Sequence, residues 1–286
     1  MSHASQRGFT LIELVITIVV GSIVVAFMAM FIVIPMNAYS AQTRRAQLVD
    51  DADSALRFMG RDIRSSLPNS VRVTSSGSVW AIEFLATLDG ARYVDGGPLT
   101  NAALALDFTQ NDGAFSTSVP FTQLSLPWSS SSAYLSIYNV GVPGANAYEM
   151  ANVITPPGTA ITVSAGSTAN QNLVTLSPSF QFAYGSPGKR VYLVSGPVSY
   201  LCDTGAGTLT RYSGYNISSA QPASAGTLTT NGATASLVAG DVGSLCQFTY
   251  SAGTAQRNAL ITLTLQLTQS SESAQLLYEV QLVNSP

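Results

Sequence analysis

Few side chains in this protein could support catalysis or bind a metal, and they form no known motif. The single histidine, His3, precedes the first apolar segment, and none of the patterns GxxxxGKS/T, GxSxG or HExxH occurs. A zinc site made of thiolates alone needs four cysteines, whereas the chain has only Cys202 and Cys246. The sequence therefore predicts a protein that is not an enzyme, with no metal site and no cofactor.

Five acidic residues remain as candidates for acid–base chemistry or calcium binding. We interpret them as solvated loop residues, because they lie in polar, turn-like segments without the spacing of a ligand loop. Calcium binding stays open, with no ligands assigned. The five residues are Glu83, Asp89, Asp95, Asp107 and Asp112.

Several aromatic side chains could stack on sugars at an adhesive surface, although such residues more often belong to a hydrophobic core. Carbohydrate binding by an adhesin is therefore an alternative interpretation of the protein. The residues concerned are Trp80, Trp128, Tyr134, Tyr138, Tyr212 and Tyr215.

One carboxylate, Glu13, stands at the head of a long apolar segment. No charged side chain occurs from Leu14 to Met36. Roughly 23 residues at a helical rise of about 1.5 Å are enough to cross the hydrocarbon core of a bilayer. A carboxylate that enters hydrocarbon costs a few kcal/mol or more, so we expect Glu13 to have a partner and a function.

The short polar leader Met1–Gly8 precedes the apolar segment, and no Ala-x-Ala-like site follows that segment. Cleavage after Gly8 would therefore leave the apolar helix on the mature protein. The residues GFTLIELV, Gly8–Val15, resemble the start of the type IV pilin and pseudopilin family. An ordinary signal anchor with a stray glutamate is the alternative.

The resemblance implies that a prepilin peptidase cleaves after Gly8 and that the new N-terminus, Phe9, is N-methylated. It also implies that Glu13 pairs with the terminal amine of a neighbouring subunit, which would neutralise both charges in an apolar setting. Cleavage would remove His3, so the mature protein would have no histidine-dependent active site. The implied partners are the peptidase, other major and minor pilins, an inner-membrane assembly platform and the lipid bilayer.

The same resemblance implies a single-pass inner-membrane protein with its head in the periplasm, which later enters a pilus fibre and has the fibre tip as one expected position. The distribution of positive charge gives no independent support for a cytoplasmic N-terminus, because only His3 and Arg7 precede the helix while Arg44 and Arg45 follow it.

Beyond the apolar segment, an amphipathic pattern predicts that the helix continues to about Leu67, before Pro68-Asn69. Pro35 removes a backbone donor, so we expect it to kink the helix there, although it could simply mark the membrane boundary. One face should pack on the head. Its apolar members are Leu48, Ala52, Leu56, Met59 and Ile63.

The remainder of the chain predicts a β-rich head, because short apolar or alternating runs are separated by Gly, Pro, Asn and Ser. The last two runs, 260–268 and 274–283, predict an antiparallel hairpin joined by Gln269–Ser273 and packed on the amphipathic helix. A short helical stretch is predicted near Asn146–Asn152. The earlier strand predictions are 79–85, 103–108, 134–140, 160–163, 172–176 and 190–194.

These observations together predict an α+β protein with a long N-terminal helix packed on a β-rich head, which is a pilin-like fold. The expected segments are a leader at 1–8, a transmembrane and assembly helix at 9–36, an amphipathic helix at 37–67 and a β-rich domain at 68–286. With charged residues at 9%, a net charge of −3 and no basic cluster in the head, nucleic-acid binding is not indicated.

Cys202 and Cys246 would reach an oxidising compartment after translocation, so we expect a disulfide, with two free thiols as the alternative. The segments 190–203 and 207–215, with Cys246 and the terminal hairpin, resemble minor pilins of the mannose-sensitive haemagglutinin (MSHA) pilus system, its O-type biogenesis member in particular. That class is similar to the J-type minor pseudopilin of type II secretion. The expected function is a minor pilin that primes or joins fibre assembly, in an MSHA-type pilus or alternatively in type II secretion.

Overall fold

The computed structural model describes residues 8–96, 105–253 and 257–283. Its first element is a 54-residue helix, α1 (Leu11–Arg64), about 80 Å long at the usual rise. The side chain of Thr10 caps the N-terminus by accepting a hydrogen bond from the amide of Glu13. The helix ends three residues before the predicted Leu67, because the amides of Ser65 and Ser66 turn back to the carbonyls of Asp62 and Ile63.

Helix α1 continues through Pro35 without interruption, as the sequence predicted, and the kink at that residue stays a prediction. The helix residues before Ser40 are all exposed, and the buried ones begin at Leu48. All five apolar residues predicted for the packing face are buried, which confirms the amphipathic pattern. The buried helix residues are Leu48, Ala52, Ala55, Leu56, Met59, Gly60 and Ile63.

In the described residues the head contains two antiparallel sheets and one short α-helix, α2 (Ala225–Thr230), which the sequence did not predict. The strands are β1 (Arg72–Ser76), β2 (Val79–Tyr93), β3 (Asp112–Val119), β4 (Trp128–Ser130), β5 (Tyr134–Ser136), β6 (Ala160–Ala165), β7 (Asn172–Phe180), β8 (Arg190–Asp203), β9 (Thr208–Ser213), β10 (Thr234–Ala239), β11 (Val242–Ser251), β12 (Ala259–Gln269) and β13 (Glu272–Leu282).

Ten of these strands form the larger sheet, in the order β10-β9-β8-β2-β3-β7-β6-β4, with β1 paired to β2 and β5 paired to β8. The smaller sheet has the order β11-β12-β13. Both are antiparallel throughout the described residues. The α+β, pilin-like architecture expected from the sequence is confirmed.

The terminal hairpin is confirmed, and it packs on α1 as predicted. Its connection is shorter than the predicted Gln269–Ser273, because Gln269 pairs directly with Glu272. Only Ser270 and Ser271 remain in the turn, with φ of 50° and 70°. Two successive left-handed residues suit the right-handed twist of the flanking strands, so a two-residue turn closes the hairpin.

Two strand predictions are wrong in part. Residues 105–108 are irregular, with bends at 105 and 108, since Asp107 accepts hydrogen bonds from Thr109 and closes a local turn, while positions 103 and 104 lie outside the described residues. The predicted strand at 134–140 ends at Ser136, because Tyr138 has a φ of 58° that breaks the extended backbone. The predicted helical stretch near Asn146–Asn152 is a single 3₁₀ turn, Ala147–Glu149.

Two large hydrophobic cores divide the head. The first lies between α1, the smaller sheet, the first half of β2 and the second half of β8, and it contains Ile82, Phe84 and Tyr200. The second lies among β3, β6 and β7 and includes the end of β2 and the start of β8. Because β2 and β8 run through both cores, they connect the part of the head that packs on α1 to a part whose core contains no residue of α1.

A disulfide between Cys202 on β8 and Cys246 on β11 connects the larger sheet to the smaller one inside the first core. The two cysteines are 44 positions apart, and no free cysteine occurs among the described residues. The bond therefore fixes the relative position of the two sheets between which α1 is held.

We expect the double substitution Cys202→Ser and Cys246→Ser to lower the free energy of unfolding by about 3–4 kcal/mol, because the unfolded chain gains the freedom of an open loop. Chemical denaturation of the full-length protein in detergent would measure this loss. The wild-type protein should unfold like the double variant in the presence of a reductant, and equal stability of the two proteins under oxidising conditions would contradict the prediction.

Candidate functional site

The residues of the N-terminal motif form an exposed helix start. Phe9 is 72% exposed, and the extended backbone of Thr10 leads into the first turn of α1, which contains Glu13. The carboxylate of Glu13 makes no hydrogen bond and no ion pair with any residue in the described parts of the chain. Glu13 therefore lies at the head of the apolar helix with its charge unpaired within its own chain.

Polar side chains farther along this segment are satisfied locally. The hydroxyl of Thr17 donates to the carbonyls of Glu13 and Leu14, and the hydroxyl of Ser22 donates to the carbonyl of Val19. Such bonds satisfy the hydroxyl donors within the helix itself, which suits an apolar environment. In contrast to these hydroxyls, the carboxylate of Glu13 has no partner within the described part of its own chain.

The apolar half of α1 has none of its side-chain surface covered by the head. Among the described residues, α1 is the one helix long and apolar enough to cross a membrane, and its most apolar window is 0% buried. Its N-terminal position and its length fit a single-pass membrane anchor. The exposed apolar surface needs lipid or other helices to cover it.

Polar contacts attach the other half of α1 to the larger sheet. Asp62 accepts hydrogen bonds from Arg211 of β9 at 2.7 Å and from the hydroxyl of Tyr200 of β8 at 2.7 Å. Burial raises the pKa of Tyr200, and the hydrogen bond to the Asp62 carboxylate adds to this shift. Tyr200 therefore remains a protonated donor, and the bond persists at physiological pH.

The smaller sheet contacts α1 at two places along the helix. Arg45 forms an ion pair with Glu272 at 2.6 Å, next to the hairpin turn. Farther along, the ring of Tyr278 lies against Gly60, where an added Cβ would be 2.5 Å from the ring, and the hydroxyl of Tyr278 accepts a hydrogen bond from Arg64. Gly60 thus lets the helix approach β13 closely.

The interpretation of Glu83 as a solvated loop residue is wrong. Glu83 lies in β2 and is fully buried, and its Oε2 accepts hydrogen bonds from Arg72 at 2.6 Å. Its Oε1 accepts a hydrogen bond from the hydroxyl of Tyr215 at 2.8 Å. Burial raises the pKa of Glu83, and the bonds from Arg72 and Tyr215 oppose this effect.

Arg72 connects this buried carboxylate to the loop around Ser218 and Ser219, whose carbonyls accept hydrogen bonds from its guanidinium at 2.9 and 2.7 Å. The guanidinium also lies 3.7 Å from the ring centroid of Tyr148. The sequence offered one signal for this cluster, since Glu83 interrupts the otherwise apolar run VWAIEFL. The cluster stabilises the head and leaves no carboxylate free for chemistry.

The four other acids lie apart from one another or have local structural roles. Asp89 accepts from the amides of Gly90 and Gln123, and Asp95 pairs with Lys189 at 2.8 Å. Asp112 accepts from the amide of Asp107 at 3.0 Å, while Asp107 caps a turn. No group of three or more potential metal ligands occurs among the described residues.

The aromatic residues considered for sugar stacking divide into two groups. Tyr134, Tyr212 and Tyr215 are buried in two smaller hydrophobic clusters of the head, which fits the core interpretation. Trp80, Trp128 and Tyr138 are half buried and pack against cores. The aromatic residues therefore do not form an exposed stacking surface.

Residues 3–29 match the family model described as the prokaryotic N-terminal methylation motif. No curated protein and no solved structure matches the chain significantly. The matched range contains Gly8, Phe9 and Glu13 together with the first part of the exposed helix. The motif indicates a type IV pilin-like or pseudopilin-like N-terminus, and it implies in general terms processing by a prepilin peptidase and contacts with other pilins.

We expect Glu83→Gln to lower the free energy of unfolding by about 3 kcal/mol or more, because it leaves the guanidinium of Arg72 without its buried counter-charge. Denaturation followed by near-ultraviolet circular dichroism would measure the change. Arg57→Gln is the matched control, since Arg57 pairs with Asp53 on the exposed side of α1. That substitution should lower the free energy of unfolding by well under about 1 kcal/mol. An equal decrease in both variants would contradict the special role of the buried pair.

Proposed function

We propose that this protein is a minor pilin that primes or joins the assembly of a type IV pilus of the MSHA type. The observation that carries the proposal is Glu13: an unpaired carboxylate at the head of an exposed apolar helix, five residues after Gly8. In this mechanism the prepilin peptidase cleaves after Gly8 and methylates Phe9. The protein then waits in the inner membrane, with its head in the periplasm, until its helix bundles with other pilins.

The pairing of Glu13 with the terminal ammonium of a neighbouring subunit supplies both the driving force and the register. Each charge alone is costly in an apolar environment, and the attraction between adjacent opposite charges offsets part of that cost. Because Glu13 has one position near the start of a continuous helix, the pairing also sets how far one subunit is displaced from the next along the fibre.

The shape of the head supports a position at the fibre tip. The second core, with strands β3, β6 and β7, contains no residue of α1, so a large part of the head packs away from the helix by which it is anchored. A subunit with so large a head fits the fibre tip, where no other subunit stacks above it. The MSHA assignment rests on the resemblance of the segments around β8, β9 and the disulfide, and a minor pseudopilin of type II secretion is the second candidate on the same resemblance.

Processing is tested by the intact mass of the protein isolated from membranes with and without the prepilin peptidase. We expect the loss of residues 1–8 and the gain of one methyl group on Phe9 when the peptidase is present. An unprocessed N-terminus in cells that contain the peptidase would show that the N-terminal helix is an uncleaved signal anchor, and it would overturn the assembly mechanism.

Assembly is tested by Glu13→Gln, which removes the charge and keeps the size of the side chain. We expect normal processing and membrane insertion but loss of the protein from sheared fibres, by about tenfold or more, because the neighbouring ammonium is left unpaired in an apolar setting. Immunoblots of fibre and membrane fractions would measure how much of the variant enters fibres and how much stays in the membrane.

Thr17→Val is the matched control, because the hydroxyl of Thr17 bonds only to its own helix backbone. This variant should enter fibres like the wild-type protein. Full incorporation of Glu13→Gln into fibres would refute the pairing. Equally reduced incorporation of both variants would show that any substitution in this part of the helix impairs assembly. Labelled protein found evenly along fibres would refute the tip position.

A further inference from the structure

A groove of about 540 Å³ runs between α1 and β10, the strand that ends the larger sheet. Both walls present apolar side chains that are partly open to solvent: Phe58 on the helix is 38% exposed, and Leu237 on the strand is 65% exposed. The residues that form the apolar walls are Leu48, Ala55, Phe58, Leu237, Val238 and Ala239.

The outer edge of β10 has no pairing partner in the described parts of the chain. β10 pairs with β9 on one side, and no main-chain hydrogen bond joins Ala235–Ala239 to any other element. Proteins commonly protect such an edge with charged residues or proline. The β10 sequence, TASLVA, has neither and shows only one register irregularity, between Leu237 and Ala239, whereas the edge strand β13 carries Glu272 and Glu279.

The two ends of the groove have opposite charges. Asp51 of α1 and Asp241, just after β10, lie together at one end, whereas Arg61 lies ten residues farther along the helix. Ten helical residues span about 15 Å, the length of roughly five extended residues. None of these three side chains forms an ion pair with a described residue.

We propose that this groove binds an extended segment of a partner protein, which adds to the larger sheet antiparallel to β10. The segment has a basic residue at its N-terminal end, beside Asp51 and Asp241, and an acidic residue at its C-terminal end, beside Arg61. Small or apolar residues between them contact Phe58 and Leu237.

An extended segment fits the observations better than a helix. Only an extended backbone can pair with the open N–H and C=O groups of β10, and strand addition takes its affinity from such main-chain bonds. The antiparallel direction follows every other pairing in the sheet and places the N-terminal end of the segment next to Asp241. This binding goes beyond fibre assembly, because it requires only the folded head on its helix.

The probe is a labelled peptide with blocked ends, Lys-Val-Thr-Val-Thr-Val-Glu, added to the full-length protein in detergent micelles. The control peptide, Glu-Val-Thr-Val-Thr-Val-Lys, has the same composition and the reverse charge order. We expect fluorescence polarisation to show saturable binding of the probe, at least about tenfold tighter than the control peptide. Hydrogen exchange at the amides of Ser236–Ala239 should slow when the probe is bound.

Two variants locate the binding. Leu237→Glu should weaken it by about tenfold or more, whereas Leu277→Glu, a substitution at a leucine of nearly equal exposure (62%) on β13, should leave it unchanged. Charge reversal at both ends, with Asp51→Lys, Asp241→Lys and Arg61→Glu, should reverse the preference between the two peptides.

Equal affinity for the two peptides, unchanged exchange in β10, or equal loss in both leucine variants would overturn the proposal. The outcome is separable from fibre assembly: a Leu237→Glu protein that still enters fibres but no longer binds the probe supports strand addition, and a Glu13→Gln protein should bind the probe normally.

Discussion

The burial of one face of α1, from Leu48 to Ile63, is the contact on which the rest of the structure depends. Apolar side chains of this face pack into the core between the two sheets. The disulfide between Cys202 and Cys246 holds those sheets together, and Asp62 and Gly60 fix the helix on each of them. The exposed apolar half of the same helix is therefore joined to the head by one uninterrupted helix.

Charge is rare in this protein, and most of the ion pairs of the described residues have a structural use. The buried pair of Arg72 and Glu83 fastens the loop at Ser218 and Ser219 to β2, and Asp62 fastens α1 to β8 and β9. Such pairs contribute modest net stability, but the removal of one partner is costly, so they favour one arrangement of helix and sheets over others. Against this background the unpaired charge of Glu13 stands out.

The described surface leaves two features unsatisfied within the single chain. One is the carboxylate of Glu13 with the uncovered helix behind it, and the other is the open edge of β10 with its oppositely charged groove ends. In the two proposals above, a second chain supplies what the first lacks at each of these places: an ammonium in one case and a strand in the other. They lie at opposite parts of α1, so a subunit could use both at the same time without competition between the two contacts.

Local patterns in the sequence determined the motif at Gly8–Val15, the helix with its buried face, the terminal hairpin and a pair of cysteines able to form a disulfide. Each of these depends on neighbours a few positions apart or on a distinctive residue type, so periodicity and composition suffice. The order of the strands, the burial of Glu83 beside Arg72 and the open edge of β10 were decided by the tertiary structure alone. They arise from pairings between distant segments, and a strand's own pattern does not specify which neighbour it meets, or whether it meets one at all.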